Sequence, residues 1–437
     1  MFDFDLVARA RSALVEAMGG EDRQRRAAGL PTLSGEEERA WAGTFVASIL
    51  AEENRSRLQG GLTRLSAAEE QQVLDGVDAL VFGMGRFQRF LVDPDIDNVI
   101  VHGGESVVIE WCDGRVTEEP SPWADDADLE AELRGLASRR GRAERRFDTS
   151  HPWLDLRLPD GSRLSAVCAV AHRTTAVLRR HRFLDVDLVG LVEIGTIDER
   201  LAHFFEATMA ARLNILVAGE TNVGKTTLLR ALLACCDPLE HLVTVETSLE
   251  LGLQNLRHRH RHVTAMEARE DNAEGEGAIT VADLVRRALR LNPDRTVVGE
   301  VLGDEVLPML NAMGNGANGL TTLHARSSGA VCRRLASYAA QAPQSLAPER
   351  IAPLAQDGID LIAFLAKVPD GRGRRRRVVA SVREVHGSLN GDLQAPELFT
   401  PGADGRAVPA GLQSRWLFEL EAVGFDRSCL EPLGVRP

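Results

Sequence analysis

The sequence predicts an α/β protein: a core of buried, largely parallel strands alternating with helices, preceded by a small α+β domain and an amino-terminal helical region. Three observations predict it. From Asp198 onward, short continuous apolar runs such as LNILVAG alternate with helical patterns, as strands covered on both faces do. Between residues 76 and 185, β-branched runs are separated by Gly turns, the mark of paired strands. Residues 1–75 carry apolar side chains at three- and four-residue spacing among many charges. A chain of 437 residues exceeds one ordinary core and suggests two or three domains.

In the amino-terminal region Trp41, Phe45 and Ile49 mark one helix face, and Pro31 with Gly35 divides two helical stretches. DNVIVHGGESVVIEWCDGRV then reads as paired strands, and residues 128–140 as a helix. WLDLRLPDGSRLSAVCAV reads as a hairpin turning at Pro159-Asp160-Gly161, with TTAVLRR as the next strand. Residues 186–197 are read as a linker to the main core, residues 198–395. There LNILVAG, HLVTVE, RTVVGEV, GLTTLHA and LIAFLA supply strands, with helices such as KTTLLRALLACC and Val281–Leu291 between several of them. RRRRVVASVREV closes this core as its final strand, leaving 396–437 as a peripheral tail.

Composition narrows the function. The longest apolar runs, such as Leu361–Ala366, are far too short to cross a bilayer. The amino terminus places acids where a secretory signal carries positive charge, so a cytoplasmic protein is expected. Six cysteines include no C-x-x-C pair; adjacent Cys235 and Cys236 read as the buried end of a helix rather than a zinc or disulfide site. A net charge of −13 has the wrong sign for a surface that grips nucleic acid, so no direct nucleic-acid partner is expected.

GETNVGKTT, residues 219–227, fits G-x-x-x-x-G-K-[ST] between an apolar strand and a helix. In that context the backbone N–H groups of Gly219, Glu220, Thr221, Asn222, Val223, Gly224, Lys225, Thr226 and Thr227 line an anion site at a helix amino terminus. The glycines let the chain bend close to phosphate without a Cβ. Lys225 would reach the β- and γ-phosphates of ATP, and the Thr226 hydroxyl would take Mg²⁺. Lys225 and Lys367 are the only lysines among 51 basic residues, and a compact ammonium fits between phosphate oxygens where a planar guanidinium does not. A plain surface turn would leave the glycines, the lysine and the strand as three coincidences.

Further candidates close neighbouring strands. Glu300 is the acid one residue before the end of TVVGEV, where a carboxylate beside the phosphate loop can polarise water or hold the metal. Glu246, followed by Glu250, ends HLVTVE and could hold the metal's waters. His324 ends GLTTLH at the same sheet edge and could contact the γ-phosphate. A strand-end acid, or a histidine merely hydrogen-bonded in place, is the structural alternative for each.

The set GETNVGKTTLLRALL, VTVETSLELGL, AEGEGAITVADLVRRALRLNPDRTVVGEVLGDE and GLTTLHARS resembles, in order and spacing, the secretion ATPases of type II and type IV systems. It looks closest to the branch that drives tight-adherence (Flp) pili, the CpaF type. LVDPDIDNVIVHGGESVVIEW, LRLPDGSRLSAV and LVGLVEIGTI extend the likeness to roughly residues 85–390.

The resemblance implies a RecA-like P-loop NTPase core joined by a linker to a PAS-like domain at residues 76–185, in a homo-hexameric cytoplasmic motor. It implies an inner-membrane platform protein of a pilus or secretion system as partner, with peripheral attachment to the inner face of the cell membrane. It also implies that arginines of the first domain, here Arg163 and Arg179, contact the γ-phosphate. Glu246 and Glu250 match the family's acidic box, Glu300 its Walker B glutamate, His324 its histidine box and Glu305 a second acid. The chain departs from the family pattern at Asn222 and Val223, where Gly and Ser are usual. It departs again at Thr247 for an aspartate, at Leu302 for an arginine, and in a shortened segment before His324. Two other readings stand beside the pilus motor: a conjugative type IV secretion ATPase, and an ATP-binding scaffold with lost or weak hydrolysis.

Two charged runs complete the reading. As a strand, RHRHRHV at 257–263 would put His258, His260 and His262 on one face, an exposed edge or, more sharply, a metal site, with Arg257, Arg259 and Arg261 opposite. The basic run at 372–377 reads as a solvated hairpin, with contact to anionic lipid or to acidic loops of a membrane partner as the sharper alternative.

Overall fold

The computed structural model describes residues 4–28, 30–31, 33, 35–140, 146–158, 161–180, 185–269, 277–316, 318–342, 346–369 and 375–432. The chain folds as two compact units, Met1–Arg180 and His181–Pro437.

The first unit opens with α1 (Phe4–Ala27), α2 (Gly35–Gln59) and α3 (Ala67–Val81), three helices where two stretches were expected. The third begins at Ser66, whose side chain accepts from the Glu69 N–H while the Glu69 carboxylate accepts from the Ser66 N–H. Leu6, Ala10 and Leu14 of α1 pack with Val46 and Leu50 of α2 and Val73 and Val77 of α3 in a core of their own.

Next come α4 (Gln88–Val92), β1 (Ile96–His102), β2 (Ser106–Trp111) and β3 (Val116–Pro120). They are followed by α5 (Asp126–Arg140), β4 (Trp153–Arg157), β5 (Arg163–Val167) and β6 (Thr175–Arg179). The strands form one antiparallel sheet in the order β3-β2-β1-β6-β5-β4. Leu129, Leu133 and Leu136 line one face of α5 and bury against Val99, Val101, Leu164 and Leu178 of the sheet. The β4–β5 hairpin forms as expected, with Gly161 at φ 85°; Pro159 and Asp160 of its expected turn lie outside the described residues.

The second unit begins with α6 (Leu188–Glu193) inside the stretch expected to be a linker. Asp187 caps it by accepting from the Gly190 N–H at 2.9 Å, and Leu188 and Leu191 bury in the main core. The chain continues through α7 (Glu199–Ala210), β7 (Ile215–Gly219), α8 (Lys225–Leu233), β8 (His241–Glu246) and β9 (His262–Glu267). Then follow α9 (Val281–Ala288), β10 (Arg295–Val301), α10 (Val306–Gly314), β11 (Leu320–His324), α11 (Val331–Gln341) and α12 (Ile351–Gly358). The last elements are β12 (Leu361–Pro369), β13 (Arg375–Glu384), β14 (Gly387–Leu389), β15 (Asp392–Gln394), β16 (Glu397–Pro401), β17 (Ala407–Pro409) and α13 (Leu417–Ala422).

Among the described residues nine of these strands form one mixed sheet, ordered β17-β16-β13-β12-β7-β11-β10-β8-β9. The run from β12 to β9 is parallel, and β13, β16 and β17 add antiparallel strands at one edge. Helices cover both faces. Ile215 and Val217 of β7 pack with α7 and α8, while Leu216 and Ala218 pack with α9 to α12, so this strand reads as one unbroken apolar run.

Two expectations are corrected here. The stretch 396–437, expected as a peripheral tail, joins the core through its described residues 396–432, and β13 is not the final strand: β16 pairs with β13, and Phe399 and Phe425 meet Phe204 of α7 with ring centroids 5.1 and 5.7 Å apart. The run at 257–263 is not one strand either. Its first part is a turn in which the Arg259 and His260 N–H groups both donate to Leu256 O at 2.9 Å, and only His262 opens β9. Carboxylates decide this local choice: Asp185 accepts from His258 and Arg259, and Asp187 accepts from Arg259, while His260 turns inward and is buried. The three histidines therefore share no strand face. Among the described residues no helix is long and apolar enough to cross a membrane.

Candidate active site

The parallel run places the carboxyl ends of β7, β11, β10 and β8 side by side, and Gly219, His324, Glu300 and Glu246 lie at that edge. β7 ends at Gly219. A Cβ there would lie 2.7 Å from both Leu365 O and Val223 Cγ2, so only glycine lets the loop turn so close to β12. Asn222 takes a left-handed backbone at φ 59°, and Asn is among the few residues that tolerate it where a glycine is usual. Val223 is buried in the core between the sheet and α8 and anchors the loop from below.

Gly224, at φ 98°, is the N-cap of α8 and offers no side chain to the helix end. The N–H groups of Lys225, Thr226 and Thr227 belong to the first turn of α8, which has no carbonyl four residues back within the helix to accept from it. Thr226 and Thr227 are half-buried at this end, and Glu220 and Thr221 are exposed on the loop's outer side. Backbone donors, an uncapped helix end and a buried ammonium together form a donor set suited to a polyphosphate, with a hydroxyl suited to Mg²⁺ beside it.

Lys225 is 7% exposed. Its Nζ donates to Glu220 O at 3.0 Å, lies 3.1 Å from His324 Nδ1 and 4.0 Å from Glu300 Oε1. His324 Nε2 lies 2.8 Å from Glu300 Oε1. The pairing of β7 with β11 sets His324 opposite Gly219, and β10 lies on the other side of β11. The β10–β11 register breaks between Val298 and Val301, the interval that contains Glu300.

These partners fix the histidine's tautomer. An ammonium can only donate, so Nδ1 accepts from Lys225; a carboxylate accepts, so Nε2 carries the proton that Glu300 receives. Burial, then the Lys225 charge, then that of Arg334, hold the His324 pKa below its ordinary value and keep the ring neutral.

Glu246 ends β8 and is 3% exposed. Its Oε2 accepts from the N–H groups of Glu250 and Leu251 at 2.7 and 2.8 Å, and Thr244 donates to Oε1 at 3.3 Å. This carboxylate folds the loop that carries Glu250, a task the sequence did not reveal. Glu305 does likewise after β10, accepting from the N–H groups of Leu302 and Gly303. Leu302 itself is 48% exposed.

The family model of type II/IV secretion system proteins matches residues 84–356. The chain belongs to that family. A Mycobacterium tuberculosis protein provisionally named for conjugal transfer is 38% identical over 295 residues, which cover 63% of this chain and 81% of the relative. The type IV secretion system protein PtlH of Bordetella pertussis is 34% identical over 179 residues, 40% of this chain and 51% of PtlH. Among solved structures, the Legionella pneumophila ATPase DotB aligns at TM-score 0.49 and 20% identity, over 69% of this chain and 79% of DotB.

Two residues of this secretion-system protein escaped the sequence reading. Arg230 of α8 is 3% exposed and donates through Nε to Leu251 O at 3.1 Å and through Nη2 to Glu250 O. It ties the phosphate-loop helix to the loop that Glu246 closes; a lone arginine inside LLRALL was the available signal. Gly299 is the other, since a Cβ there would lie 2.9 Å from Glu246 Cγ. A glycine inside an otherwise apolar strand marks such a close approach.

Arg163 and Arg179 lie in the first unit as direct register partners on β5 and β6, so both side chains leave the same face of the sheet. Arg163 Nε is 3.9 Å from Asp155 Oδ1.

Proposed function

We propose that this chain is a Mg²⁺-dependent ATPase that works as a homo-hexameric motor for pilus assembly or protein secretion. The observation that carries the reading is the meeting of Lys225, His324 and Glu300 at the mouth of β7, β11 and β10. Bound ATP with Mg²⁺ supplies the phosphoanhydride that is cleaved. Lys225 and the N–H groups of Gly224 through Thr227 would hold its phosphate groups, and the Thr226 hydroxyl would hold the metal. Glu300 is the base for the attacking water. Neutral His324 orients that carboxylate through its Nε2–H, and Glu246 fixes the loop bearing Glu250.

In this reading the second unit is a RecA-like core and residues 76–185 a PAS-like domain that contributes Arg163 and Arg179 to the γ-phosphate, so that hydrolysis changes the domain angle. The ring sits in the cytoplasm against an inner-membrane platform protein, and the order of motifs favours the tight-adherence pilus branch. The Mycobacterium tuberculosis relative's name favours a second reading, a motor for conjugal transfer. An ATP-binding scaffold with weak hydrolysis is separated from both by turnover itself.

Phosphate release and nucleotide affinity, measured with sedimentation across a concentration series, test the reading. Lys225→Ala should weaken binding, Glu300→Gln should bind without turnover, and the wild-type rate should rise as hexamers form. Assembled wild-type protein that stays silent with Mg-ATP would defeat the enzyme assignment.

A further inference from the structure

The β12–β13 hairpin does more than close the sheet. β12 runs beside β7 as far as Leu365 opposite Gly219, then continues from Ala366 to Pro369, where among the described residues its strand partner is β13. The hairpin thus stands past the end of β7, alongside the phosphate loop. On this projecting part Arg377 pairs in register with Lys367, the second of the chain's two lysines. Arg377 shares a strand face with Val379, two residues on, which is buried in the core that also holds Val223 and Leu228. That face is the one on which the phosphate loop lies.

Two contacts join Arg377 to the loop. Its Nη2 donates to Asn222 Oδ1 at 3.3 Å. Its Cδ lies 3.8 Å from where a Cβ on Gly224 would stand, beside Leu365 Cδ2 at the same distance. The arginine stem therefore lies against Gly224 while its head holds Asn222, and both residues have positive φ. A glycine at position 222 would offer no side chain to hold.

We propose that Arg377 is a positioning residue that clamps Asn222 in its left-handed conformation and so presets the phosphate loop before nucleotide arrives. The proposal rests on the nucleotide-binding reading above and adds a residue to it. A loop with several accessible conformers binds through the competent fraction alone, so a clamp that raises this fraction tightens binding without touching the ligand. A half-exposed charged hydrogen bond corresponds to about a five- to tenfold change in that fraction.

The test is a double-mutant cycle on the full chain, Arg377→Gln and Asn222→Gly singly and together, with Arg375→Gln as control; Arg375 belongs to the same basic run and is exposed. Two readouts are taken: affinity for ADP, and hydrogen exchange of the amides of residues 220–226 in nucleotide-free protein. Each single variant should weaken ADP binding by about five- to tenfold and speed exchange of the loop amides by a similar factor. The double variant should be no worse than either single, and Arg375→Gln should match wild type. Multiplying losses in the double variant would overturn the clamp, as would an equal effect of Arg375→Gln or unchanged loop exchange in Arg377→Gln. Failure of wild-type protein to bind ADP would instead strike the nucleotide reading, while loop exchange without nucleotide still decides the clamp.

Discussion

Replacing Glu246 separates two tasks for the acid at the end of β8. Its Oε2 accepts from two backbone N–H groups, of which that of Leu251 belongs to a residue 1% exposed. Glu246→Ala leaves both donors without their acceptor, at about 1–3 kcal/mol for a buried group. Glu250 is half-buried, so water partly serves its N–H, and the sum is about 2–4 kcal/mol. Glu246→Gln keeps an amide oxygen for both donors and loses only the charge assistance, about 1 kcal/mol. Native-state hydrogen exchange, read at the amides of β8 and α8, follows the second unit alone. The expected order is wild type, then Gln, then Ala. If alanine lies within about 1 kcal/mol of wild type, or glutamine is as damaging as alanine, closing the loop is not what this residue does. In the second case a charge-dependent task such as holding metal-bound water stands, and the Mg²⁺ dependence of turnover should shift with it.

Two further outcomes follow from the same edge. Because the folded-state pKa of His324 is depressed, its contribution to stability is present above the ordinary histidine value and is lost as pH falls through the folded value. Urea midpoints compared between pH 7.5 and 5.5 should therefore fall for wild type and fall less for His324→Gln; equal losses would contradict the assigned tautomer and its bond to Lys225. Gly299→Ala drives a methyl to 2.9 Å from the pinned Glu246 Cγ and should cost about 1–3 kcal/mol. That cost should shrink when combined with Glu246→Ala, and full additivity in hydrogen exchange would show that the two residues do not press on each other.

Much of the fold and part of the site were legible locally. A strand buried on both faces must be apolar throughout, and a loop that turns sharply into a helix start needs glycines, so β7, the phosphate loop and α8 could be read residue by residue. The acids at the ends of β8 and β10 and the histidine ending β11 were visible for the same reason, since a parallel sheet collects its strand ends at one edge. Where local pattern competed with a distant charge, local pattern lost. The alternating Arg/His run reads as a strand by period, yet Asp185 and Asp187, far back in the sequence, draw His258 and Arg259 into a turn. The segment after residue 395 lacks long apolar runs, yet it buries Phe399 and Phe425 against α7.

By itself, then, the sequence determined the core strands, the glycine loop with its helix and which side chains could serve a phosphate site, because helix and strand periods, glycine conformations and cap chemistry act over a few residues. Tertiary structure alone decided who meets whom. Lys225 and His324 are 99 residues apart and touch only because crossovers insert β11 next to β7. The turning of Glu246 into its own loop, the space that Gly299 leaves for it, and the grip of Arg377 on Asn222 likewise depend on strand order and register, which are set by packing of the whole sheet.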